Sequence, residues 1–357
     1  MSAMAGHILL IEEARLGDAA VVADLDAWVL AHPGSTPFHR PGWIMGVEAG
    51  TGQKAKMLVA RSAGGEILGL LPLTAIRSTL FGRALVGSGF AVDGGILTTH
   101  RKAGPALADA AWALAQQLGC DTLELRGGEA PQDARWEEKA DAYLGFSRAL
   151  AADDEAELKA VPKRHRAEIR KGMANGLTFE TGRDRRLRDI HYRLYCNSVH
   201  NLGTPVFPRR LFDAVLDRFG DDADIALVSK DGQPLSAVIS LYHRGACMPY
   251  WHGAAAGARA MRSNEMLYFA LMGAARARGC TIFDFGRSKV GTGPAAWKKT
   301  WGFDGEPLGY RLRTAPGKAT RDVNPLSPQY RRKVELWKKL PLLIANLIGP
   351  HIARSLG

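Results

Sequence analysis

Apolar residues in this chain alternate in short runs around Gly turns, then recur at helical spacing, and the whole arrangement occurs twice. Met57 to Leu73 reads as strand, Gly64-Gly65 turn and strand, and Ile225 to Leu241 reads as strand, Asp231-Gly232 turn and strand. Apolar runs around a short Gly turn predict β-hairpins. Ala-rich stretches with helical spacing follow, Ala106 to Leu118 and Glu265 to Arg278. Each leads into an apolar strand, Gly119-Cys-Asp-Thr-Leu-Glu-Leu125 and Gly279-Cys-Thr-Ile-Phe-Asp-Phe285, and the two lie 160 residues apart with Glu124 and Asp284 in register. A helix feeding such a strand predicts a β-α-β unit. The matching order predicts an internal duplication, two α/β (α+β) modules in tandem, each a mixed sheet flanked by helices.

Length agrees, since 357 residues exceed one ordinary core. The acidic, Ala-rich stretch Ala149 to Ala160 marks one boundary, and Pro316-Gly317 marks another. The expected division is 1–155, 156–315 and a basic, apolar tail over 316–357.

Composition narrows the class. No run of about 20 apolar residues is present, so no helix is expected to span a bilayer. Ile8 to Ile11, followed by Glu12 and Glu13, is too short for a secretory signal core. Cys120, Cys196, Cys247 and Cys280 show no C-x-x-C spacing and read as reduced core thiols. A cytoplasmic monomer without a metal site is expected. The net charge of +11 is concentrated. Lys163, Arg164, His165, Arg166, Arg170 and Lys171 crowd one predicted helix, Arg183, Arg185, Arg186 and Arg188 follow, and another group runs from Arg331 to Lys339. Clustered cations with few interleaved acids favour an anionic partner: a nucleic-acid backbone, a nucleotide-sugar diphosphate or a lipid surface. No pattern for sequence-specific DNA reading accompanies them.

Candidate chemistry gathers at Thr281 to Phe303. An apolar strand interrupted by Asp284 opens into a Gly- and Pro-containing loop with Arg287, Ser288 and Lys289, then a short basic-aromatic helix with Trp297 and Lys298. A carboxylate in an apolar strand end has its charged form disfavoured, which suits a general base. The equivalent Glu124 argues equally for a structural role. Arg287, Ser288 and Lys289 are candidate donors to an anionic substrate. Tyr250, Trp251 and His252 end the preceding strand.

Asp284-Phe-Gly286 with Trp297-Lys-Lys-Thr-Trp-Gly-Phe303 resembles the signature of the FemAB-like branch of the GNAT acyltransferase superfamily. Val161 to Lys171, Asn201 to Pro208 and Leu336 to Pro350 are also similar to that branch, above all to FemAB proteins of exosortase/PEP-CTERM and exopolysaccharide systems. The likeness covers about residues 156–357 well, a BioF2-like acetyltransferase region, and earlier residues by architecture. It implies two tandem GNAT-like modules and a donor that is either aminoacyl-tRNA or acyl-CoA, with no tightly bound cofactor. It further implies that Lys298 stabilises charge at the reacting carbonyl or phosphate, that Trp297 walls the substrate site, and that Tyr250, Trp251 and His252 line the cleft. Gly257 to Glu265 stands where a CoA-binding loop would be, with Arg259, Arg262 and Asn264 as phosphate contacts and Ser263 or Asn264 as helix cap. Its first-module counterpart is Thr98 to Gly104. The full Gly pattern is absent from both. Asp93-Gly94 resembles an Ile-Asp-Pro strand end, and His200 stands where relatives carry an arginine. Arg164, Arg166 and Arg170 complete the donor-side cations.

The expected function is acyl or aminoacyl transfer to an amine or hydroxyl of a cell-surface polymer precursor, with a tRNA, nucleotide-sugar or lipid-linked substrate as the anionic partner. A small-molecule acyl-CoA N-acetyltransferase and a silent binding module remain open. In the tail, apolar Leu340 to Ala353 lies between Trp337, Lys338, Lys339 and Arg354. Peripheral contact of 336–354 with the inner membrane face and packing on the protein's own core are the two readings, and Pro341 and Pro350 should bound any helix.

Overall fold

Both hairpins form, and each seeds its own mixed sheet. The computed structural model describes residues 9–79, 81–139, 142–319 and 334–357. Its N-terminal part holds β1 (Leu9–Glu13), α1 (Ala19–Ala31), α2 (Pro41–Thr51), β2 (Lys54–Ser62), β3 (Ile67–Ser78), β4 (Gly82–Gly87), β5 (Leu97–Thr98), α3 (Ala103–Gln117), β6 (Thr122–Arg126) and β7 (Glu137–Glu138). Then come β8 (Tyr143–Ala149), α4 (Asp154–Ala160), α5 (Lys163–Ala174), β9 (Thr178–Gly182), α6 (Arg185–Leu202), α7 (Arg209–Phe219), β10 (Ala223–Lys230) and β11 (Gln233–His243). The chain continues through β12 (Ala246–Ala254), α8 (Ser263–Ala277), β13 (Ile282–Lys289), α9 (Gly293–Thr300), β14 (Glu306–Pro307), β15 (Tyr310–Thr314) and α10 (Leu342–Ala353).

The first sheet runs β1-β2-β3-β4-β6-β15-β7, with β5 against β3, and the second runs β14-β8-β13-β12-β11-β10-β9. In both, a hairpin is followed by an antiparallel third strand, a crossover helix and a parallel fourth strand: β2-β3-β4-α3-β6 and β10-β11-β12-α8-β13. The duplication is therefore real at the level of strand order. Gly119 (φ +65°) and Gly279 (φ +81°) close the two crossover helices in the left-handed conformation that glycine adopts without strain. The buried Cys120 and Cys280 follow.

The compact units do not follow the sequence boundaries at 155 and 315. The first comprises 1–140, 308–323 and 354–357, and the second 141–307 and 324–353. The cause lies in two strands. β8 pairs antiparallel with β13 and buries Phe146 in the second core, whereas β15 pairs antiparallel with β6 and buries Tyr310 and Leu312 in the first unit.

Helix ends also differ from expectation. α8 begins at Ser263, and its cap is Arg262 in the left-handed region (φ +54°), with no side-chain cap. Ser263 is helical, and its amide donates to the Ala258 carbonyl at 3.0 Å. α10 runs through Pro350, which forfeits one bond only in the final turn.

Candidate functional site

In the second unit, β12 and β13 pair at only two positions, Ala246 with Ile282 and Cys247 with Phe283. Beyond them no strand pairs with β13 on its β12 side among the described residues. The parted edges lie at the carboxyl ends of two parallel strands, where α/β sheets place their ligands. α8 starts at the same end because it crosses over between them.

Asp284 and Lys298 build the point of parting. Antiparallel pairing with β8 jumps from Asp284–Ser147 to Arg287–Gly145, which leaves Phe285 and Gly286 as a bulge. Gly286 has φ +63°, so a side chain would be strained there. The Asp284 Oδ1 accepts from the Gly286 amide at 2.7 Å. Lys298 Nζ donates to the carbonyls of Phe285, Gly286 and Arg287 at 2.6, 3.1 and 3.0 Å. An ammonium has three N–H groups, and here each has a carbonyl. Burial pulls the Lys298 pKa down to about 8, with the Asp284 charge opposing. Burial pushes the Asp284 carboxyl up, against the pull of the Gly286 amide and Lys298. Lys298 is thus inward-facing and clamps the bulge, with no donor left over for a developing oxyanion. Phe283 and Phe285 enter the core under α8, and alternation turns Asp284 to the opposite face of the strand.

A second polar cluster joins β11, β12 and the start of α8. His252 Nε2 lies 3.0 Å from Asn264 Oδ1, which also accepts from Ser236 Oγ at 2.8 Å. An amide oxygen only accepts, so Nε2 carries the proton. Ser236 and Ser263 hydroxyls share a 2.5 Å bond. Burial lowers the His252 pKa to about 4, so the ring is neutral at pH 7. It stacks on Tyr268, which meets Phe285 and Trp297 at 5.1 and 5.2 Å. Ser236 and Tyr268 carry no sequence mark beyond a hydroxyl inside an apolar strand or helix.

Four amides of the loop before α8 are bonded within the loop. Ala258 N donates to Ala255 O, Met261 N to Gly257 O, Arg262 N to Arg259 O and Ser263 N to Ala258 O, all between 3.0 and 3.3 Å. A pyrophosphate needs free amides there. Arg262 is tied to Glu168 on α5, and Glu265 adds a negative charge in the first turn of α8. Four loop amides and the Arg262 guanidinium are thus engaged within the protein. Arg166 is also engaged, donating to the Lys159 and Val161 carbonyls at 2.7 and 3.0 Å behind α4. Lys163, Arg164 and Arg170 remain exposed on α5, and Arg259 is exposed on the loop.

Other candidates lie elsewhere. Trp251 packs on Phe212 at 4.7 Å, and its carbonyl is 2.6 Å from His191 Nε2. Tyr250 is the bulged residue beside it. His200 bonds the Leu340 carbonyl at 3.0 Å and anchors the tail. Past the bulge, the Arg287 guanidinium sits over the Tyr143 ring at 4.3 Å, Ser288 is buried, and the Lys289 carbonyl accepts from Thr292 Oγ1 at 2.7 Å.

Asp93 belongs to the first unit, whose corresponding gap is filled by its own chain. Ile96 bridges Gly128 in parallel, and Arg126 Nη1 donates to the Ala91 carbonyl at 2.8 Å. A Cβ on Gly95 would lie 2.0 Å from Gly127 O, and one on Gly127 2.1 Å from Asp93 Oδ1. Two non-glycine residues, Ser88 (φ +49°) and Phe90 (φ +62°), take left-handed conformations to turn the segment inward. Glu124, in register with Asp284, pairs with Arg126 at 2.6 Å.

Residues 159–299 match the family model described as an acetyltransferase (GNAT) domain. No curated protein matches the chain. Among solved structures, FemX resembles it with a TM-score of 0.67 at 15% identity, over 89% of this chain and 98% of FemX. A domain assigned to a lysylphosphatidylglycerol synthetase from Agrobacterium fabrum gives 0.56 at 14% identity, over 83% of this chain and 93% of that one. A tandem GNAT protein from the clavulanic acid biosynthesis pathway gives 0.54 at 15% identity, over 87% and 100%. At these identities the likeness establishes a shared tandem fold.

Proposed function

We propose that the second unit transfers an aminoacyl group from a tRNA ester to an amine or hydroxyl of a cell-surface polymer precursor, an exopolysaccharide or envelope intermediate, on the cytoplasmic side of the membrane. The observation that carries this reading is the open β12–β13 gap beside a loop in which four amides and the Arg262 guanidinium are already engaged. The gap suits an acyl-transfer site, and the engaged Arg262 and the Glu265 charge at the start of α8 weigh against a CoA pyrophosphate. The names of FemX and of the synthetase domain point in the same direction.

In the step proposed, the acceptor nitrogen or oxygen attacks the ester carbonyl, its new bond to carbon forms, and the ribose hydroxyl leaves. Asp284 takes the acceptor's proton and passes it to the ribose oxygen as the ester C–O bond breaks. Its Oδ1 is held by the Gly286 amide, and its raised pKa suits a base. Lys298 acts through the bulge as a positioning residue. His252, neutral and pinned by Asn264, and Trp297 pack with Tyr268 on the α8 side of β13, the face opposite Asp284, and shape the gap from that side. Lys163, Arg164 and Arg170 offer phosphate contacts to the tRNA, and Arg259 adds to them.

The test supplies purified protein with a mixed aminoacyl-tRNA pool or with acetyl-CoA, alongside nucleotide-linked and lipid-linked sugar acceptors, and weighs the products. A mass increase of one amino-acid residue on an acceptor is expected. Release of free CoA with an acetylated small amine would replace this reading with a small-molecule N-acetyltransferase. No product from either donor would leave a silent binding module.

A further inference from the structure

The C-terminal helix is built inside out. On α10 the residues facing the protein are small: Ala345, Gly349 and Ala353 are buried at a four-residue spacing. A Cβ on Gly349 would lie 3.0 Å from Val206 N and 3.5 Å from the Trp337 ring, which shows how closely the backbone sits. The large aliphatic residues point outward. Leu343 and Leu347 are 85% and 72% exposed, and Ile344 and Ile348 stand beside them at 47% and 37%. Their spacing places them on one helix face. Leu336, 66% exposed, adds to the apolar surface just before the helix. Burial of such side chains is the main source of folding free energy, so a face with this pattern is shaped for something outside the chain.

Charge identifies the occupant. From Leu336 to Gly357 the chain holds Lys338, Lys339 and Arg354, with no Asp or Glu. Lys338 is shared with Glu335 at 3.2 Å, whereas Lys339 is exposed. An apolar helix face with cations at its borders matches an anionic bilayer surface, where acyl chains take the aliphatic groups and headgroups take the cations. The helix has 12 residues, about 18 Å, against a hydrocarbon core of about 30 Å. It therefore lies in the interface, and no helix among the described residues is long and apolar enough to cross. We propose that the exposed face of α10 docks the protein on anionic lipid bilayers, with Leu343, Ile344, Leu347 and Ile348 inserted at headgroup depth.

The inference stands apart from the transfer chemistry and needs no activity assay. Full-length protein is floated with vesicles of phosphatidylcholine alone and with phosphatidylglycerol added, and sedimentation velocity is run without lipid. Recovery with phosphatidylglycerol vesicles should exceed that with neutral ones about tenfold at low ionic strength and fall steeply towards about 0.5 M salt. The variant Leu343→Glu/Leu347→Glu alters exposed positions only, and should lose flotation while keeping its melting temperature. Lys339→Glu should weaken flotation less. Lipid-free self-association that the double variant abolishes, without flotation of the parent, would overturn the proposal and make the face a contact between copies. No flotation and no association would overturn it too, as would equal recovery with both vesicle types.

Discussion

The two units share a strand order and differ where their parallel strands part. Pairing aligns Ala84 with Thr122 in one and Ala246 with Ile282 in the other. Stepping along from there sets Gly127-Gly128 against Arg287-Ser288. In the first unit those glycines, both left-handed (φ +65° and +66°), let Asp93 to Ile96 fold back against β6 and fill the gap. In the second, side chains occupy the same places and the chain after β12 turns directly into α8. One copy became a sealed scaffold and the other kept an opening. A duplicated fold thus shows its working half through which gap the chain leaves unfilled, more than through which copy holds an acid at the strand end, since both do.

The largest expected effect comes from crowding one close backbone approach in each unit, β12 against α6 in the second and the filled gap in the first. Gly253→Ala would set a Cβ 2.3 Å from Tyr195 N, and Gly95→Ala one 2.0 Å from Gly127 O. Each should cost more than about 4 kcal/mol in denaturant melts, because only backbone can yield. At a temperature where both remain folded, transfer should survive Gly95→Ala and be lost in Gly253→Ala. Loss in both would break the assignment of chemistry to the second unit. Next is Lys298→Met, which leaves three buried carbonyls without donors, for about 3 kcal/mol. It should also lower kcat, whereas the exposed Lys299→Met should stay within about 0.5 kcal/mol and keep full turnover. Unchanged stability in Lys298→Met would show that the bulge holds without its clamp.

The smallest effect is a pH test that addresses the second unit alone. Burial pushes the Asp224 carboxyl up to about 6, against its hydrogen bond from Tyr242 and the nearby Arg278. A carboxyl whose folded pKa is raised contributes stability below its unfolded value near 3.8, and that contribution is lost as pH rises through about 6. About 2 kcal/mol should therefore disappear between pH 4 and 6, and Asp224→Asn should flatten the curve. An equal slope in both proteins would assign the pH dependence to other groups.

Local signals made much of this legible. Hairpins, crossover helices and the Gly-Cys strand starts follow from periodicity and turn chemistry within a few residues. Asp284 and Lys298 were visible as a motif, but their shared task was not, since a clamp on three carbonyls exists only after burial brings α9 onto the bulge. Arg262 and Arg166 read as donor cations because sequence cannot show that Glu168 and a pair of carbonyls would claim them. The filled gap had its sign in Gly94-Gly95 and Gly127-Gly128, adjacent glycines that mark close backbone approach, yet what approaches is settled by tertiary structure. Tyr143 to Ala149 alternates like any half-buried strand, and nothing in that alternation names the sheet it joins.

The late arrival of β15 in the chain shapes how the protein is made. The first sheet has a vacant edge on β6 until β15 arrives, and β15 is translated only after the whole second sheet has emerged from the ribosome. An N-terminal half ending at the apparent boundary would present that edge to other nascent chains, a template for mispairing. Synthesis from the N-terminus therefore finishes the second sheet first, and the sheet that begins the chain is the last to close.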